Sequence, residues 1–154
     1  VIEDLLKTLV ERGETLAVAE SLTGGLLAAT IVNVPGASKV FRGGLVVYAT
    51  DLKHKLAGVD PDLLAEQGPV SSEVALALAR GARERCEATW GLATTGVAGP
   101  DPQDGMPVGT VYIGLAGPAE TVRQLELTGD RPMIRLSTVA AALDLLADYL
   151  DLQS

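Results

Sequence analysis

The chain has 154 residues, of which 47% are hydrophobic and 3% aromatic, and its formal net charge at pH 7 is −8. This length predicts one domain with a sizeable core. The negative charge and the few aromatic rings argue against nucleic-acid binding, which uses clustered Lys and Arg or exposed rings that stack on bases.

The sequence also lacks the features of exported and membrane-bound chains. Its single cysteine, Cys86, allows no intramolecular disulfide, which fits a reducing compartment. No apolar run reaches about 18 residues, and no charged segment leads into a signal-like apolar stretch. We therefore expect a cytoplasmic protein with no membrane partner. The first residue is valine rather than methionine, so we also consider a partner domain upstream in a longer chain.

Helical and strand patterns alternate along the first half of the chain. Apolar residues at helical spacing from Ile2 to Val10 predict a helix that stops at Gly13. Residues 15–19 predict a short apolar strand, and residues 26–32 predict a helix. Residues 43–49 are rich in β-branched side chains and predict a buried strand. Residues 51–56 and 61–67 predict two short helical turns.

The second half predicts one more helix, three strands and a terminal helix. Ser71 or Ser72 caps a helix that continues past Ala82, and residues 90–95 predict a strand. Residues 96–109 form a long loop dense in Gly, Pro and Asp, and loops of this kind are often functional. Residues 110–116 and 122–128 predict a hairpin, and Asp130 caps the last helix. The order of elements predicts a single α/β domain with three layers, α/β/α, and a mixed sheet.

Several common kinds of active site find no support in the sequence. His54 is the only histidine, and it lies between two lysines on a predicted exposed turn, which is a poor place for the base of a Ser-His-Asp triad. No Cys/His cluster has the spacing of a metal site, and neither a Walker A motif nor a dinucleotide-binding glycine motif is present. We expect no metal and no cofactor.

Hydroxyl groups, glycines and a lysine follow the ends of three predicted strands. Because ligands of open α/β sheets bind in a crevice outside the strand ends, we expect these residues to share one site. The helix after the first strand also begins there, and its free N–H groups suit a phosphate or an oxyanion. The residues concerned are Ser21, Thr23, Gly24, Gly25, Tyr48, Lys53, Thr94, Thr95 and Gly96.

A serine nucleophile in this crevice needs a base, and histidine is scarce. A lysine can serve when burial lowers its pKa from about 10.4 toward 7–8. Lys53, close to Tyr48, is the best candidate for the base, and Ser21 is the best nucleophile. By elimination, the residues favour a hydrolase with a Ser–Lys pair that a tyrosine assists.

Structural roles remain open for each of these residues. Ser21 or Thr23 can simply cap the following helix, Glu20 can support that cap or orient Lys53, and a lysine in the segment LKHK is usually solvated.

Two arginines, Arg131 and Arg135, lie in the first turns of the last helix, where a positive charge opposes the helix dipole. They indicate either an anionic ligand or surface ion pairs. Nothing in the spacing alone decides between the two.

Four segments, in order along the chain, carry a family resemblance. They are AESLTGG (19–25), GGLVVYATDLK (43–53), TTGVAGPDPQDGMPVGTVYIG (94–114) and GDRPMIR (129–135). Together they resemble the CinA C-terminal-domain family, the nicotinamide mononucleotide deamidases. The similarity runs from about Leu5 to Leu150, and residues 1–154 would form one amidohydrolase domain.

The resemblance implies hydrolysis of nicotinamide mononucleotide to nicotinic acid mononucleotide and ammonia, in pyridine nucleotide recycling and without a metal. Ser21 would be the nucleophile, Lys53 the general base, and Tyr48 an assistant in proton transfer. Thr95 would contact the substrate or the oxyanion, and Arg135 would suit the substrate phosphate. The full set expected to bind substrate is Glu20, Thr23, Gly24, Thr95, Gly96, Arg131 and Arg135.

A second interpretation is a non-catalytic nucleotide-binding or regulatory domain of a larger CinA-type protein. It predicts ligand binding without turnover, and an exposed Lys53 would favour it. Full-length members of the family often carry an N-terminal domain of a different fold. We expect a homo-oligomer, with a small-molecule nucleotide as the other partner.

Overall fold

Five strands form one mixed sheet in a computed structural model, which describes residues 2–152. The strands are β1 (Leu16–Glu20), β2 (Phe41–Val46), β3 (Trp90–Gly96), β4 (Thr110–Ala116) and β5 (Thr121–Glu126), in the spatial order β2-β1-β3-β4-β5. β1 pairs in parallel with β2 and β3, whereas β3, β4 and β5 pair antiparallel. The parallel half therefore brings the ends of three strands to one edge.

Helices cover both faces of this sheet. They are α1 (Ile2–Arg12), α2 (Leu26–Val32), α3 (Thr50–Lys55), α4 (Pro61–Gln67), α5 (Ser72–Arg85) and α6 (Arg131–Tyr149). Apolar side chains of α1, α2 and α6 pack against one face of the sheet, and those of α4 and α5 pack against the other. The predicted α/β/α arrangement with a mixed sheet is confirmed. Within residues 2–152, no helix combines the length and apolar character needed to cross a membrane.

The alternation along β1 explains how one strand serves two cores. Leu16 and Val18 belong to the core beneath α1, α2 and α6, whereas Ala17 and Ala19 face the core beneath α5. Successive strand residues point to opposite faces, and all five residues of β1 are buried. β1 is thus a fully buried interior strand, between β2 and β3, that carries Glu20 to the end of the parallel strands.

The second strand differs from its prediction in place and burial. Residues 43–49 were expected to form a buried strand, but β2 is Phe41–Val46 and lies at the edge of the sheet, where alternate residues are exposed. Its pairing with β1 ends at the partners Glu20 and Val46, because β1 itself ends there. Tyr48 therefore follows the strand instead of ending it. A β-branched composition predicts a strand but does not distinguish an edge from the centre.

The other boundaries shift by a residue or two, and two predicted helix caps are confirmed. The side chain of Ser71 accepts a hydrogen bond from Val74 N–H at 3.1 Å, and that of Asp130 accepts one from Met133 N–H at 3.0 Å. Capping side chains satisfy N–H groups that have no partner within the helix. Asp130 thereby fixes the start of α6, which carries both arginines of the predicted site.

Candidate active site

Ser21 directly follows β1, at the start of the turn to α2. Its N–H donates to the carbonyl of Thr94 in β3 at 3.1 Å, and its own carbonyl accepts from Gly24 N–H at 3.0 Å. The side chain is only 7% exposed. Because both main-chain groups are bonded, the sheet and the turn together fix the position of the Ser21 hydroxyl.

Lys53 lies on α3 and is 1% exposed. Its Nζ is 3.0 Å from Oγ of Ser21, 2.8 Å from the carbonyl oxygen of Val47 and 3.2 Å from that of Tyr48. The interpretation of Lys53 as a solvated surface lysine is therefore wrong. The structure brings the predicted nucleophile and the predicted base into hydrogen-bond contact.

Burial changes the acid–base chemistry of Lys53. Removal from water disfavours the charged ammonium and lowers the pKa of Lys53 to about 8, while the negative charge of Asp104 acts weakly in the opposite direction. The amine makes its hydrogen bonds to neutral oxygen atoms only. With this pKa a much larger fraction of Lys53 near neutral pH is in the unprotonated form that a general base requires than for an ordinary lysine.

A cleft opens above this pair at the edge of the sheet. The cleft and its open mouth together hold about 520 Å³. Predicted site residues in its wall are Ser21, Tyr48, Lys53, Thr95, Gly96 and Arg131, and the other wall residues are Leu22, Thr50, Pro69, Val70, Val97, Ala98, Gly99, Asp101 and Gln103. Six of the ten predicted site residues thus share one cleft, as expected from their strand-end positions.

Residues 97–109, which we call the roof loop, form one side of the cleft. The loop is closed at its base, where Val97 N–H donates to Thr110 and Gly109 N–H donates back to Val97 at 2.8 Å. Arg131 holds its middle, since Nη1 donates to the carbonyl of Gly99 at 2.5 Å. The guanidinium of Arg131 also donates to the Tyr48 hydroxyl at 2.9 Å. Arg131 therefore joins the roof loop to Tyr48 at the mouth of the cleft.

Thr95 and Tyr48 differ in how they face the cleft. Thr95 is buried, and its hydroxyl donates to the carbonyl of Pro69 at 2.7 Å, so its oxygen can act only as an acceptor toward a ligand. Tyr48 is 60% exposed and has its hydroxyl at the rim beside Arg131. Its main-chain carbonyl, rather than its hydroxyl, touches Lys53.

Glu20, at the end of β1, and Thr23, within the turn, are not part of the cleft wall. Glu20 is fully buried, and its carboxylate accepts hydrogen bonds from the N–H groups of Leu27 and Ala28 at 2.8 and 3.0 Å. Oγ of Thr23 pairs with that of Thr94 at 2.8 Å. The expectation that Ser21 or Thr23 caps α2 is wrong, since Glu20 satisfies these N–H groups from within β1.

Arg135 and Gly24 also lie outside the cleft wall. The guanidinium of Arg135 reaches the turn from α6, where Nε donates to the carbonyl of Leu22 and Nη2 to that of Thr23, each at 2.9 Å. Gly24 is exposed on the same side, and a Cβ there would lie 3.5 Å from Nη2 of Arg135. Arg135 contacts the turn and Gly24 is part of it, and neither lines the cavity above Ser21.

Two groups of functional residues escaped the sequence analysis. The main-chain carbonyls of Val47 and Tyr48 accept hydrogen bonds from Lys53. Because every residue has a main-chain carbonyl, residue types do not show which ones will act in this way. Pro69 and Val70 reach the cleft from the connection between α4 and α5, which carried no polar motif. Within residues 2–152, the N–H groups of Leu22 and Thr23, which directly follow Ser21, make no hydrogen bond. Leu22 lies in the cleft wall, where its N–H can receive an anionic oxygen, and the N–H of Thr23 is the next along the chain.

Comparison with known proteins identifies the family of the chain. A family model described as the CinA C-terminal domain matches residues 1–150. The chain belongs to this family. A CinA-like protein of Frankia casuarinae is 60% identical over 143 residues, which are 92% of this chain and 33% of that protein. Another CinA-like protein, from Acidobacterium capsulatum, is 51% identical over 137 residues, which are 88% of this chain and 33% of that protein. The chain thus spans about a third of the length of these curated relatives.

Solved structures of the CinA family have the same fold. A competence/damage inducible protein of Agrobacterium tumefaciens is 34% identical, with a TM-score of 0.88 over 97% of this chain and 95% of that one. A CinA superfamily protein of Escherichia coli is 30% identical, with a TM-score of 0.91 over 97% and 90%. Both proteins are named for competence and damage, and neither name states a reaction.

Proposed function

We propose that the domain is an amidohydrolase that converts nicotinamide mononucleotide and water to nicotinic acid mononucleotide and ammonia. The observation that carries this proposal is the buried contact of 3.0 Å between Nζ of Lys53 and Oγ of Ser21. Membership of the CinA C-terminal domain family supports the choice of reaction. The reaction would serve the recycling of pyridine nucleotides.

Lys53 begins the reaction as a neutral amine. If the neutral amine keeps its hydrogen bonds to the carbonyls of Val47 and Tyr48, both of its N–H groups are used, and its lone pair is left for the Ser21 hydroxyl, whose Oγ lies 3.0 Å from Nζ. Lys53 takes the Ser21 proton as Oγ attacks the carboxamide carbon. The oxygen of the carboxamide becomes an oxyanion, which the free N–H groups of Leu22 and Thr23 stabilise.

The proton on Lys53 then returns to the leaving group. The C–N bond breaks, the departing nitrogen takes this proton, and ammonia leaves an ester between Ser21 and the nicotinoyl group. Water attacks the ester, with Lys53 again taking the proton and passing it to Oγ of Ser21. Tyr48 assists at the rim, where its hydroxyl accepts a hydrogen bond from Arg131.

The rest of the cleft can hold the two ends of a nucleotide separately, with the carboxamide beside Ser21 and the phosphate at the mouth. Thr95 and Gly96 lie beside the reacting centre, and Arg131 provides a positive charge at the mouth. A mononucleotide phosphate binds well to a guanidinium. Homo-oligomerisation and an N-terminal partner domain in a longer chain stay predictions.

The non-catalytic alternative fits the site less well. A nucleotide-binding module has no use for a buried lysine with a lowered pKa beside a serine, whereas a Ser–Lys pair requires both. An exposed Lys53 would have favoured the binding module, and Lys53 is 1% exposed.

The proposal is tested by ammonia release from nicotinamide mononucleotide, with chromatography of the nucleotide product. We expect turnover by the parent chain and a loss of about a thousandfold or more in Ser21→Ala and Lys53→Met. His54→Ala is the matched control for Lys53→Met, because His54 is its exposed neighbour on α3. A folded parent that binds the nucleotide without turnover would contradict the proposal and support the binding module.

A further inference from the structure

We propose that Arg135 is a positioning residue that holds the nucleophile turn, residues 21–25, and that it does not bind the substrate phosphate. The proposal rests on the proposed function, because it concerns the same reaction. It assigns Arg135 a role different from the one that the family resemblance implied.

The first support is the geometry of the guanidinium. Nε and Nη2 of Arg135 donate to two successive carbonyls of the turn, those of Leu22 and Thr23, at 2.9 Å each. A planar guanidinium that donates two hydrogen bonds in fixed directions restrains both acceptors at once, and its charge strengthens each bond. Two of its donors are therefore committed to the protein's own main chain.

The second support is the contrast with Arg131, one turn earlier on α6. Arg131 lies in the cleft wall and donates to Gly99 and to the Tyr48 hydroxyl. Arg135 is absent from the cleft wall and approaches the turn from behind. Of the two arginines on this helix, Arg131 is the one placed to meet a ligand in the cleft.

The hydrogen bond from Arg135 to the Leu22 carbonyl also orients the N–H of Thr23, which belongs to the proposed oxyanion site. The carbonyl of Leu22 and the N–H of Thr23 belong to one planar peptide unit and point in opposite directions. By fixing that carbonyl, Arg135 fixes the direction of an N–H group that has no partner within residues 2–152. The next peptide unit is held at both ends, by Arg135 at the Thr23 carbonyl and by the Gly24 N–H bond to Ser21.

Glu20 supplies a complementary hold from the other side. Its buried carboxylate accepts from the N–H groups of Leu27 and Ala28, which follow the turn, while Arg135 donates to carbonyls within it. The nucleophile turn is therefore restrained by a carboxylate at its helix end and by a guanidinium across its middle.

The test compares nicotinamide mononucleotide with nicotinamide riboside, which lacks the phosphate. We expect Arg135→Met to lower kcat by about 100-fold on both substrates with little change in KM, because small displacements of reacting groups have effects of this size. Arg135→Lys should keep part of the activity, since an ammonium can hold one carbonyl but not both. Arg131→Met is the matched control, and there KM should rise for the mononucleotide more than for the riboside.

Reaction of Ser21 with phenylmethylsulfonyl fluoride, followed by intact mass, gives a readout that needs no substrate. Oγ forms a bond to sulfur, fluoride leaves, and Lys53 takes the hydroxyl proton. We expect faster labelling in the parent and in Arg131→Met than in Arg135→Met, with thermal unfolding confirming that each variant is folded.

Two results would overturn the proposal. In the first, Arg135→Met raises KM for the mononucleotide alone, which is the behaviour of a phosphate ligand. In the second, kcat and the labelling rate stay at parent values. If no substrate is turned over but labelling still depends on Arg135, the proposed reaction fails while the positioning role stands. If Ser21 of the folded parent is not labelled at all, both fail.

Discussion

At the scale of single residues, the character of the site comes from a lysine buried without a negative partner. A buried charge is unfavourable unless a counter-charge lies beside it, so the amine gives up its proton more readily. Lys53 bonds only to Ser21 and to two carbonyls, and its pKa falls to about 8. The same burial that would destabilise an ammonium thus prepares a base.

The activity should depend on pH through Lys53. Because the neutral amine is the active form, kcat/KM for nicotinamide mononucleotide should rise with pH and level off above a midpoint near the Lys53 pKa of about 8. In Asp104→Asn the midpoint should move to lower pH, since the Asp104 charge favours the protonated lysine. Asp101→Asn, in the same loop, is the control and should move it less. A midpoint that moves upward in Asp104→Asn would contradict this assignment.

The residue types and their strand-end positions allowed Ser21, Tyr48 and Lys53 to be predicted from the sequence. The burial of Lys53 was not predictable, because the segment LKHK has the composition of a solvated turn. Nor was the direction of Arg135, whose spacing from Arg131 is one helical turn. Which of two neighbouring arginines enters a cleft depends on how the whole helix packs.

At the scale of elements, α2 depends on a side chain that lies outside it. The residue before α2 is Gly25, which has no capping side chain, and the N–H groups of Leu27 and Ala28 are satisfied by Glu20 at the end of β1. A helix of seven residues is too short to be stable by itself. Glu20 therefore couples the strand to the helix that follows the nucleophile.

Replacement of Glu20 should weaken this coupling. In Glu20→Gln one acceptor oxygen is replaced by an NH₂ group that faces an N–H donor, and leaving a buried donor without a partner costs about 1–3 kcal/mol. We expect the free energy of unfolding in urea to fall by about this amount. Glu126→Gln, an exposed position on β5, is the control and should unfold like the parent. Equal stability of Glu20→Gln and the parent would contradict a capping role.

The roof loop offers a second test at this scale, with two of its own glycines. Gly109 has φ +91°, and a Cβ there would lie 1.9 Å from the carbonyl oxygen of Leu127. Gly105 has φ +77°, but a Cβ there would meet nothing within 4 Å. We expect Gly109→Ala to lower the melting temperature strongly or to prevent folding, and Gly105→Ala to cost about 1 kcal/mol. Similar melting temperatures for both variants would argue against the described closure at Gly109.

Element types were more predictable than their surroundings. Periodicity and caps placed α5 and α6 well, because the apolar spacing and the N-cap residues are local signals. The second strand was misplaced because its ends depend on where β1 ends. An edge position is a property of the sheet and not of the segment.

At the scale of the whole molecule, the parallel half of the sheet positions the candidate site and the antiparallel half anchors the roof loop. β1 pairs in parallel with both β2 and β3. The ends of these three strands bring Ser21, Lys53 and Thr95 together at one end of the sheet. β4 and β5 return the chain antiparallel and hold the base of the roof loop. The layers were predictable from the alternation of elements, but the strand order β2-β1-β3-β4-β5 required long-range pairing that no local pattern encodes.

The free energy of unfolding should also depend on pH through Lys53. The pKa of Lys53 is about 8 in the folded chain and 10.5 when unperturbed, so between these values the unfolded chain binds more protons than the folded one. The destabilisation of the folded state by Lys53 is therefore fully present below pH 8 and disappears as the pH rises toward 10.5. We expect the free energy of unfolding of the parent, measured relative to Lys53→Met, to increase with pH across this window. A difference that stays flat or decreases would show that Lys53 does not titrate as described.

The separation of the Ser–Lys pair from the roof loop has an evolutionary consequence. Both members of the pair precede residue 54, whereas the loop follows β3 and meets the rest of the cleft through its two anchored ends and Arg131. Insertions or exchanges between residues 100 and 108, apart from Asp104 whose charge acts on Lys53, would reshape the opening without moving Ser21 or Lys53. For the proposed amidohydrolase, changes in this single segment would therefore alter which molecules fit the cleft, while Ser21 and Lys53 stay in place on their own elements.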